Sequence, residues 1–141
     1  MNISHLRRQA ESGNVVAQSV LGICYLDGIE VEADYAEAYR LLRAAAEQGA
    51  SRAMTGLARM YVRGLGIPRD MNEAIRLYDA AAKAGEFLAQ VELARIYSRG
   101  LGVTANPAMA LQWYSAAAAQ DRTVPDCEEL QEAKAYIASS R

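Results

Sequence analysis

Apolar side chains return along this chain at the spacing of a helix face. Ala17, Leu21, Cys24 and Tyr25 stand at i, i+4, i+7 and i+8, and the same stripe recurs at Ala53, Leu57, Met60, Tyr61 and at Ala89, Leu93, Ile96, Tyr97. That spacing predicts three amphipathic helices. Each stripe closes on a glycine, Gly28, Gly64 or Gly100, a residue suited to the left-handed position that ends a helix. A second stripe follows, with Ala38, Leu41, Leu42, Ala45 and their copies, and it opens at Asp34, Asp70 and Asn106. Those three residues are good N-caps. Glu37 and Glu73, three positions later, complete a capping-box pattern that Met109 breaks. Pro107 stands where a first-turn proline is tolerated, and Gly49 or Gly85 stops the second helix.

The two stripes alternate with a period of 36 residues. Ala10–Ala45, Ala46–Ala81 and Ala82–Ala117 align without insertion or deletion, and nine columns are identical in all three blocks. They include Gly13/Gly49/Gly85, Tyr25/Tyr61/Tyr97 and Ala44/Ala80/Ala116. A period in this range predicts a solenoid, whose units bury their apolar faces against neighbours. Small residues at Gly22/Ala58/Ala94 and Ala44/Ala80/Ala116 predict close helix approach. No segment alternates with period two for long, so strands are not expected. The predicted fold is all-α: a right-handed α/α superhelical solenoid of three 36-residue helix hairpins in one repeat domain, 1–141. Residues 1–12 match second-helix columns and form a half repeat. The hairpins are 13–48, 49–84 and 85–120, and 121–141 is a capping segment whose helix, 126–139, turns Leu130, Ala133 and Ile137 inward. Such caps cover the last apolar face of a repeat array.

Composition narrows the function classes. The 141 residues are 52% hydrophobic and 23% charged, with net charge −2 and pI near 5.4. These values suit a packed domain and supply no basic field for nucleic acid or anionic lipid. No apolar run reaches the roughly 20 residues of a membrane span, and the N-terminal stretch lacks a secretory core. A cytoplasmic protein is expected. Cys24 and Cys127 lie in unrelated columns and are read as free thiols. His5 is the lone histidine, with no partner ligands at metal spacing. Gly64-x-Gly66 and Gly100-x-Gly102 lie between helices, without the strand that a phosphate loop needs. Neither cofactor nor metal is expected, and no catalytic constellation is visible.

The repeat columns resemble the Sel-one-like repeat (SLR) family, a branch of the tetratricopeptide-like α/α solenoids. The residues that carry the resemblance are the Ala17…Leu21-Gly22…Tyr25…Gly28 run and the Gly64-Leu65-Gly66-Ile67 and Gly100-Leu101-Gly102-Val103 loops. The Asp70…Ala74…Leu77-Tyr78…Ala80-Ala81 run goes with them, and Trp113-Tyr114 is similar to the family's aromatic pair. Glu30 departs from the loop pattern, standing where Gly66 and Gly102 stand, so a differently shaped first turn is expected. The resemblance implies adaptor, regulatory or inhibitory protein–protein interaction rather than a common chemistry.

One pattern exceeds what repeat maintenance requires. Opposite the buried stripe of the first helices, at about 100° per residue, stand Arg52, Arg59 and Arg63 in repeat two and Arg95 and Arg99 in repeat three. The resemblance implies that this face lines a concave groove. Arginines in a row suit bidentate capture of carboxylates or phosphates. Val16, Ile23 and Leu26 are expected as an exposed apolar patch in repeat one. The expected function is a non-catalytic module binding an acidic peptide or protein surface through Arg52, Arg59, Arg63, Arg95, Arg99, Ile23 and Leu26. The alternative is a nucleic-acid or phosphate ligand on the same row, against which stand the net charge, few lysines and no aromatic platform. Arg63 and Arg99 could also serve the helix termini, hydrogen-bonding the last carbonyls.

Overall fold

The structure, a computed structural model, describes residues 2–141. The described residues hold eight α-helices and no strand. In order these are α1 (Ile3–Glu11), α2 (Val15–Asp27), α3 (Tyr35–Glu47), α4 (Ser51–Arg63), α5 (Met71–Lys83), α6 (Phe87–Arg99), α7 (Pro107–Ala118) and α8 (Glu128–Ser139). They fall into two compact units that divide inside α5, one up to Leu77 and one from Tyr78 to Arg141.

In the first unit α1 packs on α2, α2 on α3, and α4 on both α2 and α3. Ala10, Ala17, Leu21 and Leu41 form a buried cluster, with Ile3, Leu6 and Tyr25 against it. Small residues permit the close approach: a Cβ placed on Gly22 would lie 2.7 Å from Leu42. In the second unit α6 packs on α7, and α8 packs on α7 and α6. Leu130 and Ala133 of α8 are buried while Ile137 is half-buried, so the C-terminal helix covers apolar side chains of its unit.

Each helix end has a local cause. Gly28, Gly64 and Gly100 sit at φ between 65° and 68°, and their amides return to Cys24, Met60 and Ile96 carbonyls. The loop closes identically three times: the Asp34, Asp70 and Asn106 amides donate to the Tyr25, Tyr61 and Tyr97 carbonyls at 2.9, 3.0 and 2.8 Å. The side chains of the same three residues cap the next helix at the Glu37, Glu73 and Met109 amides.

Two of the expected features are absent. The reciprocal half of the capping box does not form. The cap amide is already taken by the tyrosine carbonyl, so Glu37 and Glu73 turn outward and pair with Arg40 and Arg76 instead. Nor is the first turn differently shaped: Glu30 takes φ 60°, matching Gly66 at 71° and Gly102 at 74°. The repeat geometry holds an ordinary side chain in the left-handed region, where it is strained.

Candidate interaction surface

The outward arginines of the first helices fall into two kinds. Arg59 lies at mid-helix in α4 and reaches back to Asp27 at the end of α2, with Nη2–Oδ1 at 2.8 Å. Both side chains are about one-third exposed. Arg95, in the same column on α6, is held more tightly. Its Nε and Nη2 donate to the Glu132 carboxylate of α8 at 2.8 and 2.6 Å, and Nη1 donates to Glu92 at 2.5 Å. Tyr114 on α7 donates its hydroxyl to Glu132 at 2.6 Å, and its ring packs 4.6 Å from that of Tyr136.

This network ties α6, α7 and α8 together. Hydrogen bonding from Arg95 holds the Glu132 carboxyl below the usual carboxylate range, against the upward push of burial. The Tyr114 phenol moves the opposite way, raised first by burial and then by the carboxylate beside it.

Arg52, Arg63 and Arg99 are the second kind: exposed, and in no ion pair among the described residues. Arg63 and Arg99 donate no hydrogen bond to the terminal carbonyls of their helices: Met60 and Ile96 accept the glycine amides, and Tyr61 and Tyr97 accept the Asp70 and Asn106 amides. Arg52 opens α4, beside Val15, Val16, Ser19, Val20, Ala50 and Ser51, which line a pocket of about 250 Å³. The expected apolar patch of repeat one is not present as such. Val16 is 72% exposed, but Leu26 is 5% exposed and Ile23 half-buried. The α4 helix that packs on α2 accounts for Ile23, which lies 3.7 Å from where a Gly56 Cβ would be.

A second set of polar residues carries no local signal in the sequence. Gln18 is buried, donates to the Ala10 carbonyl and accepts from Gln48. Gln90 donates to the Ala82 carbonyl and accepts from Gln120. The pair recurs 72 residues apart, whereas repeat two carries Met54 and Ala84 in those columns. Both glutamines change together, a signal visible only when the two columns are read as one contact.

Cys24 is buried, Cys127 is half-buried, and neither forms a disulfide. Burial pushes the Cys24 thiol up. No cluster of three or more His, Cys, Asp or Glu side chains able to hold a metal ion occurs among the described residues. No helix among them is long and apolar enough to cross a membrane.

Paired helices joined by one repeated turn define an α/α repeat protein. The Sel1 repeat family model matches residues 15–49, 51–86 and 88–121, and the chain belongs to that family. Proteins of this family are generally protein-interaction modules. The chain is 39% identical to a Sel1 repeat protein from Oxalobacter formigenes of known crystal structure, over 96% of each chain, with a TM-score of 0.78. It is 31% identical to c5321, a protective antigen of uropathogenic Escherichia coli with an SLR fold, at a TM-score of 0.79. That match spans 99% of this chain but 33% of the antigen. Helicobacter pylori cysteine rich protein B shares the fold, with a TM-score of 0.70 at 16% identity. No curated protein matches the chain.

Proposed function

We propose that this chain is a non-catalytic interaction module of adaptor, regulatory or inhibitory type. It holds an acidic peptide, or an acidic surface of another protein, against the outward face of its first helices. The observation that supports this reading is that the chain's own carboxylates already seat on that face: Asp27 on Arg59 and, in bidentate fashion, Glu132 on Arg95. Planar guanidinium groups favour such two-point carboxylate contacts. One turn further on, Arg63 and Arg99 are exposed and in no ion pair among the described residues, and the Arg99 charge acts on Glu132 from beyond contact distance. Within the first unit Arg52 and Arg63 are the contact residues, and within the second Arg99 is. Arg59 and Arg95 contribute by holding neighbouring helices, and Ile23 and Leu26 by packing.

The test is partner capture by the wild-type chain and by Arg63→Glu with Arg99→Glu, read by mass spectrometry. Both positions are exposed, so the double variant should fold and melt like the parent, within about 0.5 kcal/mol per site. Proteins captured by the wild type should be lost, because a carboxylate ligand now meets like charge. Capture that is unchanged in a folded variant rejects the arginine face as the interface. Retention of RNA or DNA, with affinity falling steeply as salt rises, would instead support the phosphate reading.

A further inference from the structure

The pocket between the N-terminal ends of α2 and α4 has the chemistry to say what kind of acidic segment binds. Its walls are aliphatic, from Val15, Val16 and Val20, with Ala50 opposite. The only charged lining residue is Arg52, exposed and in no ion pair among the described residues. No acidic side chain lines the pocket. Its polar remainder is small: the Ser19 hydroxyl is turned back onto the Val15 carbonyl at 3.1 Å, leaving Ser51 beside the arginine.

The mouth is positive for a second reason. Asn14 caps α2 by accepting from the Ala17 amide, but Ala50, at the N-cap of α4, offers no side-chain cap. The first turn of α4, the positive end of its dipole, therefore carries both Arg52 and backbone amides that no side chain caps. At about 250 Å³ the space falls below the roughly 300 Å³ from which small-molecule and cofactor sites begin. It has room for an aliphatic side chain.

We infer that this pocket is a specificity pocket for an acidic segment of a partner protein, receiving one aliphatic side chain whose neighbouring residue places a carboxylate on Arg52. The inference rests on the proposed function above, which supplies the acidic partner, and adds which residue must stand beside the acid. Burying an aliphatic group between three valines gives the contact its affinity, while Arg52 gives it direction.

The experiment is a selection of random linear peptides displayed on phage against immobilised wild-type chain, Arg52→Glu and Val16→Asp. Wild type should enrich peptides in which Val, Ile or Leu adjoins Asp or Glu. Arg52→Glu should exchange that preference for an aliphatic residue next to Lys or Arg, and bind the wild-type winners about tenfold less well. Val16→Asp should lose the aliphatic preference. Both substitutions place an acid in the first turn of a helix, where the dipole favours it, so circular dichroism and melting should match the parent. Acidic peptides that bind all three proteins equally would overturn the pocket and leave the wider interaction reading standing. Enrichment without acidic or aliphatic preference, or no enrichment, would also overturn it. The arginine face is then judged separately, by the Arg63 and Arg99 capture experiment.

Discussion

At the scale of the residue, column identity and conformational demand can part company. Glu30 and Gly66 occupy one column and share a left-handed backbone, yet their surroundings differ. A Cβ on Gly66 would stand 2.6 Å from the Cβ of Tyr35, an atom that cannot swing aside without moving the start of α3. Gly66→Ala therefore carries both the left-handed penalty and a clash, and should destabilise the chain by about 2–4 kcal/mol in urea unfolding. Glu30→Gly relieves about 1 kcal/mol of strain but gives much of it back in chain entropy. Its melting point should equal the wild type's or exceed it by a few degrees. A Gly66→Ala protein as stable as its parent would show that the loop relaxes around the added methyl.

At the scale of the element, α8 is an acidic amphipathic helix held by one polar anchor as well as by packing. Glu132 joins Arg95 of α6 and Tyr114 of α7, and its folded pKa lies below the ordinary carboxylate value. A group whose pKa is depressed on folding stabilises the protein above its unfolded pKa. That stabilisation is lost as pH falls through the folded value. Acidification below the ordinary carboxylate range should therefore loosen α8 before the rest of its unit. The fluorescence of Trp113, the chain's only tryptophan, buried on α7 next to Tyr114, gives the readout. Glu132→Gln should lower stability by about 1–3 kcal/mol near neutral pH and flatten this part of the acid transition. An acid transition of the same midpoint and amplitude in Glu132→Gln would assign the acid sensitivity to other carboxylates.

At the scale of the molecule, stability in a repeat protein is a sum over units and their neighbours. The second unit ends on α8, which packs on α7 and α6 and buries its own Leu130 and Ala133. Removing everything after Ala118 leaves the apolar side chains of α7 open and frees Arg95 from Glu132. The truncated chain should self-associate, seen by light scattering after size exclusion. Its amide exchange should quicken in α6 and α7 first, with α1 to α3 retaining more protection. A monomer with wild-type exchange throughout would deny the capping role.

Much of this protein is written locally. Helix periods, the glycines at φ near +65° and the Asp34/Asp70/Asn106 caps depend on residues within one turn of each other, so periodicity and residue type suffice to find them. The family follows from the same columns. What stayed hidden depends on contacts between residues far apart in the chain. An arginine four positions from another reads as a ladder, but whether it faces solvent depends on what a different helix carries. Asp27 meets Arg59 across 32 residues and Glu132 meets Arg95 across 37, and no local pattern announces either. The same holds for Leu26, which helical geometry placed outward and the packing of the first unit buried, and for the Gln18–Gln48 and Gln90–Gln120 pairs. Local sequence thus determined the helices, their ends and the repeat. Tertiary packing decided which arginines are ion-paired, which stay exposed, and where an aliphatic pocket forms beside one of them, because those outcomes turn on distances between helices that periodicity does not encode.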